Sequence, residues 1–309
     1  MRLLNTTHVM KLPATSKVLA SIVATLLIAS TAGASEPENP LTTLAKNLEH
    51  ELGARVGLFA FDSNTGHSWG YRQHERFPLT STFKPFACAA FLARVDRGED
   101  SLRKKVSVEK QYLVTYSPQM KDFVDKEVTV EEACDAAITL SDNTAGNIVL
   151  EAIGGPKGLT EFLRKIGDEY SRLDRIEPDL NEATPGDPRD TTTPHAISTA
   201  LANLLTTDAL SPGSRGQLEA WMVNDRVADA LFRSRLPEGW GIGDKTGAGG
   251  HGSRGFIAVI RPTDQRAVFA AVFITETTES IAARNSAIAE IGAKLFDELK
   301  LTQPLQNLP

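Results

Sequence analysis

The sequence predicts an α/β fold of the α+β type: one antiparallel five-stranded sheet flanked by helices, with an all-helical region inserted into it. Three observations predict it. Strand-like patterning is confined to the two ends of the chain, over 55–72 and 241–275. The stretch 77–221 is mostly helical in period, broken by loops rich in Gly, Pro and Asp. The final segment returns to helical period, with Ile281, Ile288, Ile291, Leu295 and Leu299 on one face. The simplest assembly places residues 35–75 and 222–309 in a sheet domain and 76–221 in a helical domain. A cleft between two such parts is a natural ligand site.

Each element has its own signal. Leu41, Leu44, Leu48 and Leu52 share a helical face, and Gly53 ends that helix. Residues 55–62 and 67–72 read as strands joined by the turn Ser63-Asn64-Thr65-Gly66. The apolar run 86–95 must be a buried helix, and Pro85 fits only in its first turn. Residues 130–140 form a second helical stretch. Strands return at 241–249, 255–261 and 267–275, the last two joined by a turn over 262–265.

The chain has 309 residues, 41% apolar, enough for a large core. Residues 1–34 read as an export signal: Arg2, Lys11 and Lys17 precede an apolar run over 18–32, and Ala32-Gly33-Ala34 offers small residues for cleavage after Ala34. Met10 is an alternative start. The expected location is periplasmic or secreted. The run is too short to span a membrane, and no later segment is apolar enough to do so. Without those residues the chain carries 30 basic and 39 acidic side chains, a formal −9, which argues against a nucleic-acid partner. The six His are scattered, with none of the clustering that a zinc site needs, so no metal or other cofactor is expected.

Four polar segments carry chemistry when taken together. Ser81-Thr82-Phe83-Lys84 is a Ser-x-x-Lys, whose spacing on a helix lets Lys84 reach the Ser81 hydroxyl and activate it. The pattern also occurs at 101–104 and 107–110, but in charged stretches that read as solvated surface. Ser141-Asp142-Asn143 ends the helical stretch 130–140; alone it is an ordinary helix-end loop. Lys245-Thr246-Gly247 lies on a Gly-rich strand, where a Lys, a hydroxyl and a backbone N–H could face a ligand. Glu177 and Asn181 open a Pro-rich acidic loop and are candidates to hold a water; alone that loop is solvated surface.

The two cysteines link the first two segments. Cys88 follows Ser81 by seven residues, and Cys134 precedes Ser141 by seven, about 10 Å along a helix. A disulfide between antiparallel helices would bring the two serines level. Two buried thiols are the alternative, though an exported chain favours the bond.

These segments, in this order, resemble the class A serine β-lactamases over essentially the whole exported chain. The resemblance implies that fold, shared with the DD-peptidases, and a hydrolase that opens the β-lactam amide of penicillins and early cephalosporins. It implies the following roles. Ser81 is the nucleophile, Lys84 its partner, and Ser141 a proton relay. Asn143 holds the substrate amide. Glu177 and Asn181 position water. Lys245, Thr246 and Arg254 bind the carboxylate, with Gly247 beside them. The N–H groups of Ser81 and Ala248 form an oxyanion hole. Tyr116 lines the cleft mouth, Arg175 and Asp190 close the loop, and Cys88–Cys134 matches a disulfide in part of the family. The family habit implies a monomer with small-molecule substrates. Lys245 in place of Arg departs from the carbenicillin-specialised branch. Thr80 and Gly249 stand where carbapenem-hydrolysing relatives commonly bear a Cys pair, which argues against strong carbapenemase activity. Two rivals share three of the motifs: a DD-peptidase, and a penicillin sensor that stays acylated.

Overall fold

The computed structural model describes residues 39–263 and 266–301. The expected export signal lies outside them. The described residues form one compact unit.

The chain opens with α1 (Pro40–Glu51), β1 (Arg55–Asp62), β2 (Ser68–Tyr71) and the short β3 (Phe77–Pro78). A 3₁₀ turn over Thr80–Phe83 leads into α2 (Lys84–Asp96). Then follow β4 (Lys105–Ser107), β5 (Glu127–Thr129), α3 (Val130–Thr139), α4 (Asn143–Ala152) and α5 (Gly155–Lys165). After a long loop come β6 (Thr191–Thr192), α6 (Pro194–Thr206), α7 (Pro212–Val223), β7 (Gly241–Ala248), β8 (Arg254–Arg261), β9 (Val268–Thr275) and α8 (Ile281–Leu301).

The main sheet is antiparallel in the order β2-β1-β9-β8-β7, so strands from both ends of the chain are interleaved. β8 and β9 are buried almost throughout because both faces of the sheet are covered. Strand alternation sorts their side chains. Phe256, Ala258, Ile260, Val268, Ala270 and Val272 pack with α1 and α8. Ile257, Val259, Phe269, Ala271 and Phe273 pack with the helical region. The terminal helices thus cover one face and the central helices the other.

Cys88 and Cys134 are disulfide-bonded, with Cα atoms 5.7 Å apart, and tie α2 to α3. The bond closes 46 residues of sequence. Loop entropy for that length is worth about 4 kcal/mol. We predict that a Cys88→Ser/Cys134→Ser double variant folds at room temperature but loses stability of that order, read by urea denaturation. An unchanged midpoint would show that packing alone sets the helix pair.

Candidate active site

The sequence places Ser81 at the start of a helix. The structure refines this: Ser81 lies in the 3₁₀ turn, and the α-helix begins at Lys84. Pro85 is in its first turn, as expected. Ser81 and Lys84 still share a face, and Lys84 Nζ donates to Ser81 Oγ at 2.9 Å.

Lys84 is fully buried, and polar oxygens compensate its charge. Besides Ser81, its ammonium faces the Ser141 carbonyl at 2.8 Å, Asn143 Oδ1 at 2.7 Å and Glu177 Oε1 at 3.1 Å. Burial pushes the Lys84 pKa down, and the charges of Glu177 and Asp142 oppose that shift.

Ser141 sits between α3 and α4 with φ 57°, a left-handed backbone that an L-residue adopts only at a cost. The arrangement that holds it there is local. Asp142 caps α4 through Ala145 N at 2.9 Å, and its second oxygen accepts from Gln119 N and Met120 N, both at 2.9 Å. The reversal aims the Ser141 hydroxyl at Lys245 Nζ, 3.0 Å away. The two serines thus share the neighbourhood of Lys84, as the cysteine spacing implies.

β7 is an edge strand whose residues Thr246, Gly247 and Ala248 line the cleft, while the buried Lys245 lies behind Ser141, which does line it. Burial lowers the Lys245 pKa to about 8; Asp225 raises it in partial compensation, while the charge of Lys84 adds to the fall. The glycines in and just after this strand allow close packing. A Cβ on Gly247 would stand 2.0 Å from Thr80 Oγ1, and one on Gly249 would stand 2.7 Å from the Asn181 carbonyl. They let the strand press against the Ser81 turn and the Asn181 loop. Thr80 and Gly249 therefore stand side by side.

Glu177 is buried at the loop's start, preceding a cis peptide to Pro178. Its carboxylate meets Ser81 Oγ at 3.4 Å and accepts from Asn181 Nδ2. Asn181 Oδ1 is buried with no protein partner among the described residues. Arg175 Nε donates to Asp190 Oδ2 at 2.6 Å, and Asp190 Oδ1 accepts from the backbone N–H of Asp174 and Arg175 at 2.7 and 2.9 Å. That pair fastens the base of the loop.

Ser81, Ser141, Asn143, Asn181, Thr246 and the exposed rim residue Tyr116 are among the residues that wall a cleft of about 430 Å³. Arg254 lines it as well, its Nε donating to Asn285 Oδ1 at 2.8 Å. Burial lowers the Arg254 pKa to about 10, so it remains a cation at neutral pH.

Sequence reasoning missed two side chains. Asn147 accepts from the Glu177 N–H and donates to its carbonyl, both at 2.9 Å. Asn285 orients Arg254. The spacing held a signal for the first: Asn147 is one turn after Asn143 on the same helix. Asn285 had none, since it comes from a helix distant in sequence.

The arrangement supplies a hydroxyl with a buried amine beside it, a carboxylate beside both, and cations for an anionic ligand. Comparisons with known proteins agree. A profile of the Beta-lactamase enzyme family matches residues 40–299. Beta-lactamase AER-1 of Aeromonas hydrophila is 53% identical over 250 residues, covering 81% of this chain and 82% of that protein. Beta-lactamase CARB-3 of Pseudomonas aeruginosa is 48% identical over 252 residues, covering 82% and 88%. Among solved structures, an ancestral (GNCA) class A beta-lactamase is similar with TM-score 0.82 and 50% identity, covering 84% of this chain and 99% of that one. The chromosome-encoded beta-lactamase of Vibrio parahaemolyticus has TM-score 0.82 and 44% identity, with the same coverage.

Proposed function

Because this chain belongs to the beta-lactamase enzyme family, class A, we propose that it hydrolyses the β-lactam amide of penicillins and early cephalosporins through an acyl-enzyme on Ser81. The observation that carries this reading is the single buried ammonium of Lys84, shared by Ser81, Ser141, Asn143 and Glu177 at the wall of one cleft.

Ser81 Oγ attacks the ring carbonyl, giving up its proton to the Lys84–Glu177 network. The N–H groups of Ser81 and Ala248 hold the oxyanion; one such donor is typically worth about 10²–10³ in rate. The C–N bond breaks, and Ser141 passes a proton to the leaving nitrogen. Glu177 then takes a proton from a water oriented by Asn181. That water attacks the ester and releases the ring-opened acid, freeing Ser81. The unpartnered Asn181 Oδ1 supports this role for the loop.

Lys245, Thr246 and Arg254 grip the substrate carboxylate, Asn143 its side-chain amide, and Tyr116 packs at the mouth. The carboxylate grip has a pH consequence. Lys245 is charged below about pH 8 and loses its proton above it. A bound carboxylate favours the protonated form, so the bound complex titrates higher than the free enzyme. KM for a penicillin is therefore expected to rise as pH passes from 7 through 9. A flat KM over that range would remove Lys245 from this role.

The enzyme is further proposed to be exported to the periplasm, to act as a monomer without cofactor, and to have no nucleic-acid partner. No helix among the described residues is long and apolar enough to cross a membrane. Steady-state turnover of nitrocefin tests the central reading. Many turnovers per enzyme are expected. A stoichiometric burst followed by silence would point to a DD-peptidase or a sensor instead.

A further inference from the structure

A cavity of about 680 Å³, larger than the catalytic cleft and sharing no lining residue with it, runs along α4. Thr144, Asn147, Ile148 and Glu151 form one of its walls. Their three- and four-residue spacing makes them a single stripe of the helix. The segment 106–114 supplies a facing apolar surface through Val106, Val108 and Val114.

Charge decides what such a cavity could hold. Glu109 and Glu151 line it, and no Lys or Arg does. Glu109 accepts a hydrogen bond from Gln111 at 2.8 Å, but the Glu151 carboxylate has no hydrogen bond or ion pair among the described residues. Glu151 also lies in the last turn of α4, where the helix end is partly negative and no basic residue offsets it. The N-terminus of α5, at Gly154 and Gly155 in the same lining, offsets that helix end, so the negative potential in this apolar cavity comes from the two carboxylates. Tyr112, 65% exposed, adds an aromatic ring to the lining, a group that attracts cations.

We propose that this groove binds a monocationic amphiphile, an ammonium group on a compact aromatic or branched aliphatic body. Its volume lies in the range of about 300–1,000 Å³ found for small-molecule sites. Asn147 connects it to the active site: it lines the groove and holds both backbone groups of Glu177.

The probe is benzyltriethylammonium, titrated into ¹⁵N-labelled full-length exported protein. Saturable amide shifts are expected at residues 106–114 and 144–155, with half-saturation in the millimolar range. Glu151→Gln removes the exposed charge and is expected to weaken this binding about threefold, with nitrocefin turnover unchanged. Benzenesulfonate, also a compact aromatic ion but of opposite charge, should shift none of these residues. The proposal is overturned by shifts confined to the surroundings of Ser81 and Thr246, by undiminished affinity in Glu151→Gln, or by equal groove binding of benzenesulfonate.

Discussion

Replacing Glu177 with Ala is expected to convert a turning-over enzyme into one that stays covalently loaded. The expectation follows from position. The Glu177 carboxylate lies 3.4 Å from Ser81 Oγ and is held by the Asn181 amide, so a water bound there is aimed at an ester on that oxygen. Without the carboxylate, the water loses its base. General-base assistance is typically worth about 10²–10⁴, and deacylation should slow by that factor. Nothing in the variant removes the nucleophile, the donors assigned to the oxyanion, or Lys84 as its neighbour. Acylation therefore continues, more slowly to the extent that Glu177 assists it, and the adduct accumulates. Intact-mass measurement after mixing with a penicillin should find a stable increment of one drug mass on Ser81. A variant that hydrolyses penicillin at near the parent rate, with no adduct, would mean that some other group activates the water.

The fold was legible because its signals are local or periodic. β1 runs over the predicted residues, and the three C-terminal strands agree to within a residue at each end. The β8–β9 connection passes through Pro262, as the turn chemistry implies. The nucleophile's setting was legible only in part. Pro85 marks a first helical turn but does not say whether the turn before it is α or 3₁₀, because both accept Ser-Thr-Phe. The glycines near 247 make room for protein: Thr80 lies against Gly247, and Thr80 and Asn181 lie against Gly249. Sequence reveals that a Cβ is missing, and only the fold reveals what would have struck it. The same limit hid Asn147 and Asn285. Each acts on a neighbour, Glu177 or Arg254, whose importance came from motif order, and neither belongs to a motif. The left-handed Ser141 was likewise invisible, since Ser carries no signature of positive φ as Gly does.

Lys84→Ala should be the more damaging substitution, because it acts on both chemical steps. In the native site, one ammonium meets the Ser81 hydroxyl, the Ser141 carbonyl, the Asn143 amide oxygen and the Glu177 carboxylate. Removing it takes the proton acceptor or proton relay away from Ser81. It also leaves the Glu177 carboxylate buried without the cation that holds it in place beside Ser81. Breaking a buried pair in this way typically costs about 3–5 kcal/mol, so part of the loss should appear as lowered thermal stability. Acylation is expected to fall by about 10²–10⁴, and the little adduct that forms should also clear slowly. Single-turnover mixing with mass detection separates the two rates. Glu177→Ala should show acylation outrunning deacylation, and Lys84→Ala should show both slow. If Lys84→Ala acylated at the parent rate, the ammonium would be a structural counter-ion only. Serine activation would then fall to Glu177 alone, the remaining ionisable group within reach of Oγ among the described residues.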